Sequence, residues 1–83
     1  MNLNKNSQGY DSKRFFDNGY GISIIWKPNI SYGWEKGLFE IAVLKGNKDA
    51  WEIDYTTPIT EDVIGYLDKT EVEDYIEKIK NLK

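Results

Sequence analysis

Leu38, Phe39, Ile41, Ala42, Val43 and Leu44 form an apolar run broken only by Glu40. A run of this length, bounded by glycine and turn residues, reads as a central β-strand. Side chains alternate along a strand. Phe39, Ile41 and Val43 therefore share one face, and Leu38, Glu40, Ala42 and Leu44 share the other. A single acid among apolar neighbours implies that the Glu40 side is only partly covered.

A second apolar run covers residues 20–26. In it Ile22, Ile24 and Trp26 point one way and Ser23 and Ile25 the other, until Pro28 removes a ladder donor. Asn18-Gly19 precedes this run and follows Phe15 and Phe16. Between apolar runs this dipeptide predicts a type I′ hairpin turn, which needs positive φ at both central positions. The first strand of the hairpin is expected near residues 13–16. Residues 1–12, polar and rich in Asn, Ser and Gln, are expected to form a flexible arm. Beyond the central strand, residues 45–49 have turn chemistry. Trp51, Ile53 and Tyr55 then alternate with Glu52 and Asp54, the pattern of a half-buried strand.

The remainder reads as helix. Thr60 can cap a short helix over residues 61–67, with Glu61 and Asp62 in its first turn and Val63, Ile64 and Leu67 as its stripe, weakened by Gly65. Thr70 and Glu73 have capping-box spacing. Behind them Val72, Tyr75, Ile76, Ile79 and Leu82 recur at helical intervals, and Lys78, Lys80 and Lys83 suit a helix C-terminus. The expected fold is α+β, in one domain over residues 1–83. An antiparallel β-meander of three to four strands carries one short and one longer C-terminal helix on one face. Phe39, Ile41, Val43, Trp51, Ile53 and Tyr55 would meet Val63, Ile64, Val72, Ile76 and Ile79, leaving Glu40, Glu52 and Asp54 on the other face.

The chemistry of the chain narrows its function. It has no histidine and no cysteine. Ser23, Ser31, Thr56 and Thr57 thus lack an imidazole to activate them, and the absence of thiols fits a reducing cytoplasm. Nothing approaches the ~18 consecutive apolar residues of a membrane span, and the first residues lack the apolar core of a signal peptide. Gly19-Tyr20-Gly21 begins like a dinucleotide fingerprint, but Ile24 stands where the third glycine belongs. Glu52 and Asp54 share a strand face, with Glu40 expected across from them. Three converging carboxylates could bind a divalent cation or act as an acid–base pair, but calcium-loop spacing is absent and alternation alone explains them as solvated. These readings point away from an enzyme and from any cofactor or metal, and toward binding.

Charge and aromatic content then suggest how binding works. Residues 1–30 hold four basic residues against two acids. Between residues 49 and 77, ten acids face Lys69 alone. Direct contact of this region with nucleic acid would be repulsive, since phosphate binding needs clustered Lys and Arg. A basic protein partner is favoured instead, and encounter with it would be accelerated. Asp62, Asp68, Glu71, Glu73, Asp74 and Glu77 are the candidate contacts, with a solvated polar helix face as the alternative. Tyr32 and Trp34 lie in an unusually aromatic loop over residues 29–37. They either anchor a partner or fold back to cap the core. An exposed strand edge leaves monomer and homodimer both open.

The segments Gly19-Tyr20-Gly21-Ile22-Ser23-Ile24-Ile25, Ser31-Tyr32-Gly33 and Gly37-Leu38-Phe39-Glu40-Ile41-Ala42-Val43-Leu44, with Tyr55 and the stretch from Thr57-Pro58 to Tyr66-Leu67, resemble small proteins encoded by phages and prophages of low-GC bacteria. Together they cover most of residues 19–67. Size, acidity and expected fold are also similar to those of phage anti-CRISPR proteins, a group without a shared motif. The resemblance implies a non-enzymatic inhibitor, cytoplasmic in the bacterial host, that binds a basic nucleic-acid-handling protein such as a CRISPR effector nuclease and competes with its DNA. The alternative is a small phage or host adaptor that binds a protein through its aromatic loop or sheet edge.

Overall fold

A computed structural model describes residues 9–31, 33–57 and 63–82. Its architecture is α+β: an antiparallel sheet with one helix across one face. β1 (Tyr10–Phe15), β2 (Tyr20–Trp26), β3 (Phe39–Asn47) and β4 (Ala50–Ile53) follow one another as a meander. β5 (Ile64–Leu67) pairs with β3 as well, and α1 (Lys69–Lys80) completes the fold.

β3 is the central strand, as its apolar run predicts. β2 lies along one edge, from Tyr20 opposite Lys45 to Ile25 opposite Glu40. β4 and β5 divide the other edge. β4 takes the end of β3, with Leu44 opposite Ile53, and β5 takes its start, with Phe39 opposite Leu67 and Ile41 opposite Ile64. Both run antiparallel to β3, so they are two pieces of one edge line.

The core lies between this sheet and α1. Ile22 and Ile24 from β2, Phe39, Ile41 and Val43 from β3, Leu67 from β5 and Val72 and Ile79 from α1 are buried together. Each fully buried aliphatic side chain contributes roughly 1.5–3 kcal/mol, so a few such residues decide the stability of a chain this small. Tyr10, Phe16, Tyr20, Trp26, Ile64, Tyr75, Ile76 and Leu82 pack around the rim. The Tyr10 ring stands edge-on to Phe39 at 5.9 Å between centroids, a favourable aromatic geometry.

Four expectations about the path of the strands need correction first. β1 begins at Tyr10, so residues 10–12 belong to the sheet and not to an arm; residues 1–8 lie outside the described residues. The polar Asp11-Ser12-Lys13 sequence disguises a strand that packs chiefly through Tyr10. Second, the β1–β2 connection is a three-residue loop of Asp17, Asn18 and Gly19, not a type I′ turn. The Phe16 N–H donates to Tyr20 O, and the Gly19 N–H to Phe16 O. Only Gly19 takes positive φ, +85°, as in a type I turn followed by a left-handed residue.

Third, Ile64–Leu67 is a strand where a short helix was expected, while Thr60, Glu61 and Asp62 fall outside the described residues. The spacing of Val63, Ile64 and Leu67 satisfies a helical stripe, but pairing with β3 buries Leu67 in the core. A register shift between Phe39 and Ile41 accommodates the pairing, and Tyr66 sits there at φ +59°. Fourth, Trp51 and Ile53 point away from α1. Leu44 is opposite Ile53, so Ile53 shares the face of Leu44 and Ala42, not that of Val43. A one-residue difference in register moves a whole strand to the opposite face.

The helix is secured at both ends. Asp68, not Thr70, is its N-cap. The Asp68 carboxylate accepts from the Glu71 N–H at 2.8 Å, and the Glu71 carboxylate accepts from the Asp68 N–H at 3.1 Å. This is a capping box two residues before the expected one. At the other end the Asn18 side-chain nitrogen donates to the carbonyls of Ile79 (2.8 Å), Lys80 (3.1 Å) and Leu82 (3.0 Å). Its oxygen accepts from the Tyr20 N–H at 3.1 Å. Carbonyls at a helix C-terminus have no intrahelical donor, and a hairpin loop from the other end of the chain supplies one.

Candidate protein-binding surfaces

α1 turns Val72 and Ile79 fully inward, with Tyr75 and Ile76 partly covered beside them. At 100° per residue the opposite side of the helix carries Glu73, Asp74 and Glu77. Asp74 and Glu77 are exposed and Glu73 is half-buried. With Ile76 and Arg14 of β1 they line a shallow depression. Arg14 reaches this side because it is opposite Ile22, on the helix-facing side of the sheet. The acidic face is therefore not uniform, since a guanidinium borders it. Glu77 also lies 3.7 Å from the Lys80 ammonium, both largely exposed, a contact that solvent screens heavily.

The other candidate acids differ in role. Asp68 and Glu71 form the capping box, so each carries a structural duty whatever else it binds. Asp62 and Tyr32 lie outside the described residues. Trp34 opens a 3-10 turn, Trp34–Lys36, within the aromatic loop, and is half-buried. Its carbonyl accepts from the Trp26 indole N–H at 2.8 Å. The loop is further tied by Ser31, whose hydroxyl accepts from the Lys27 N–H at 2.9 Å and whose N–H donates to Lys27 O. The Trp34 backbone thus helps close this end of the sheet.

Glu40, Glu52 and Asp54 do not share a face. Glu40 is opposite Ile25, whereas Glu52 is opposite Lys45, one parity away along β3. Asp54 is buried beside the end of β4 and serves a turn: it accepts from the Thr56 hydroxyl at 2.5 Å and from the Thr56 N–H at 2.8 Å. These two bonds, with the nearby Lys45 charge, hold its carboxyl below the usual carboxylate range despite burial. Among the described residues no three carboxylates come together as a possible metal site.

The sheet face away from α1 adds residues that alternation alone could not assign. Trp51, Ile53 and Tyr55 are 43%, 39% and 48% exposed. They form the end of β4 and the residues just past it. The Lys13 ammonium of β1 lies 5.3 Å from the Trp51 ring centre, a cation–π contact across the sheet. Their alternation with Glu52 and Asp54 signalled two distinct faces. Only the pairing of Leu44 with Ile53 determines which face the helix covers.

Among the described residues no helix is long and apolar enough to cross a membrane. Comparison with protein-family models, with curated proteins and with solved structures finds no match to this chain.

Proposed function

We propose that this protein acts by binding and not by catalysis, as an inhibitor in the manner of the phage anti-CRISPR proteins it resembles. The outer face of α1 presents carboxylates to a basic nucleic-acid-handling protein, such as a CRISPR effector nuclease, in competition with DNA. The observation that supports this reading is the placement of Glu73, Asp74 and Glu77 on one side of a helix held at both ends. A fixed helix costs little ordering entropy when bound, which favours affinity. Its negative field accelerates the encounter with a basic surface and is screened over a Debye length of about 8 Å at physiological salt.

The test is binding of the purified chain to such an effector, titrated with salt and with duplex DNA. The triple change Glu73→Lys, Asp74→Lys and Glu77→Lys lies outside the capping box and the buried core, and circular dichroism of the variant checks that the fold is kept. Binding should weaken by more than roughly tenfold, since close opposite charges across an interface are worth 1.5 kcal/mol or more. Unchanged affinity would sink the charge-mimic reading.

A second reading rests on Trp51, Ile53 and Tyr55. Exposed aromatic residues beside an edge strand are the composition of a protein interface. In an adaptor that binds through this face, Trp51→Ala abolishes binding, salt matters little and the triple lysine variant binds normally.

A further inference from the structure

We propose that Asn18 is a deamidation site whose conversion releases the C-terminal end of α1. Asn18-Gly19 is the one Asn-Gly dipeptide of the chain. Glycine leaves its own nitrogen unobstructed, and no heavy atom lies within 4 Å of where a Gly19 Cβ would stand. In the reaction the deprotonated Gly19 nitrogen attacks Asn18 Cγ. A bond forms between them, the Cγ–Nδ2 bond breaks and ammonia departs, leaving a cyclic imide. Water then opens the imide at either carbonyl to an aspartyl or isoaspartyl residue. Water is the only co-reactant, and nothing is oxidised or reduced.

The fold controls both the rate and the consequence. The Gly19 N–H is engaged with Phe16 O at 3.3 Å, and both ends of the Asn18 carboxamide are held, by Tyr20 on one side and three helix carbonyls on the other. Attack therefore requires the hairpin tip and the helix end to open together, a local unfolding event. The product has no N–H to donate. Its carboxylate would face three carbonyl oxygens at the negative end of the helix dipole, with Asp17 beside it and Lys80 the one cation among the described residues that line the same cleft. The three bonds that Asn18 gives the last turn cannot re-form, so the change is one-way.

The experiment incubates the full chain at mildly alkaline pH, folded and in urea, and follows each asparagine by peptide mass spectrometry. Amide exchange is then read across residues 77–82 of the modified, refolded protein. Conversion is expected at Asn18 ahead of Asn29, Asn47 and Asn81, and slower when folded than in urea. In urea, where the strain of an alanine at φ +85° has no effect on the loop, Gly19→Ala should slow it. The modified protein should lose exchange protection at the helix end by roughly tenfold, the effect of losing about 1.4 kcal/mol of hydrogen bonding there. Asn18→Asp should reproduce that loss without incubation. The proposal is overturned by no conversion of the folded chain, by equal rates folded and unfolded, or by full protection in both the modified protein and the Asn18→Asp variant.

Discussion

The Asn18 side-chain nitrogen lies 2.8 Å from the carbonyl oxygen of Ile79, 61 residues further along the chain. The β1–β2 loop thereby acts as the C-terminal cap of α1. Asn18→Ala removes one donor that three carbonyls share, and should destabilise the fold by about 1–3 kcal/mol. Denaturant unfolding checks this. A change below experimental error would mean that water caps the helix as well as Asn18 does.

At the other end, Asp68→Ala should cost about 1 kcal/mol, the ordinary value of an N-cap side chain. Glu71→Ala should cost less, because it leaves the Asp68 carboxylate bonded. The double variant tests whether the two act as one box, since the sum of separate losses then exceeds the combined loss. Glu73, Asp74 and Glu77 take no part in the cap, so their replacement should leave the melting temperature nearly unchanged.

The face assignment of β4 has its own test. Ile41→Ala opens a cavity between sheet and helix and should cost about 2–5 kcal/mol. Ile53→Ala trims a side chain that is itself exposed, on the sheet face away from α1, and should cost well under that, about 1 kcal/mol or less. If Ile53 proved as sensitive as Ile41, the register of Leu44 with Ile53 would be refuted.

Acid should weaken the fold through two carboxyls. Thr56 holds Asp54 below the ordinary range. Burial pushes Asp11 up, but Lys27 at 3.1 Å and Lys13 at 3.2 Å outweigh it and leave Asp11 lowered too. A depressed folded-state value means that the unfolded chain binds protons first. The stability these groups contribute is therefore complete above the unfolded carboxylate range, near pH ~4, and is lost as pH falls through the lower folded values. Asp54→Asn should flatten the acid limb of stability measured against pH, and the midpoint near neutrality should fall as well.

β2, β3 and α1 are legible in the sequence because their patterns admit one reading each. Ile22 and Ile24 alternate, residues 38–44 are too uniformly apolar for a surface segment, and Val72, Tyr75, Ile76 and Ile79 fit a helix alone. Val63, Ile64 and Leu67 fit helix and strand equally, and the edge of β3 that β4 leaves open ahead of Leu44 decides between them. Asp68 with Glu71 and Thr70 with Glu73 have the same spacing. The end of β5 at Leu67 places the helix start at Asp68. The second role of Asn18 has no local signal, because its acceptors are remote in sequence. Of the candidate site, the acids Glu73, Asp74 and Glu77 could be placed together from helical spacing. The exposure of Trp51 could not, because it depends on which side of the sheet the helix covers.

The division of one edge line between β4 and β5 bears on self-association. Each piece is four residues long. An uninterrupted edge alongside β3 would offer a continuous row of unpaired N–H and C=O groups, the template on which β-aggregation grows. Broken after Ile53 and shifted in register at Tyr66, this edge gives an incoming strand only short footholds. Trp51 and Ile53 are thus exposed beside an edge too short to template a long strand, and a partner proposed for this side of the molecule would meet side chains more than backbone.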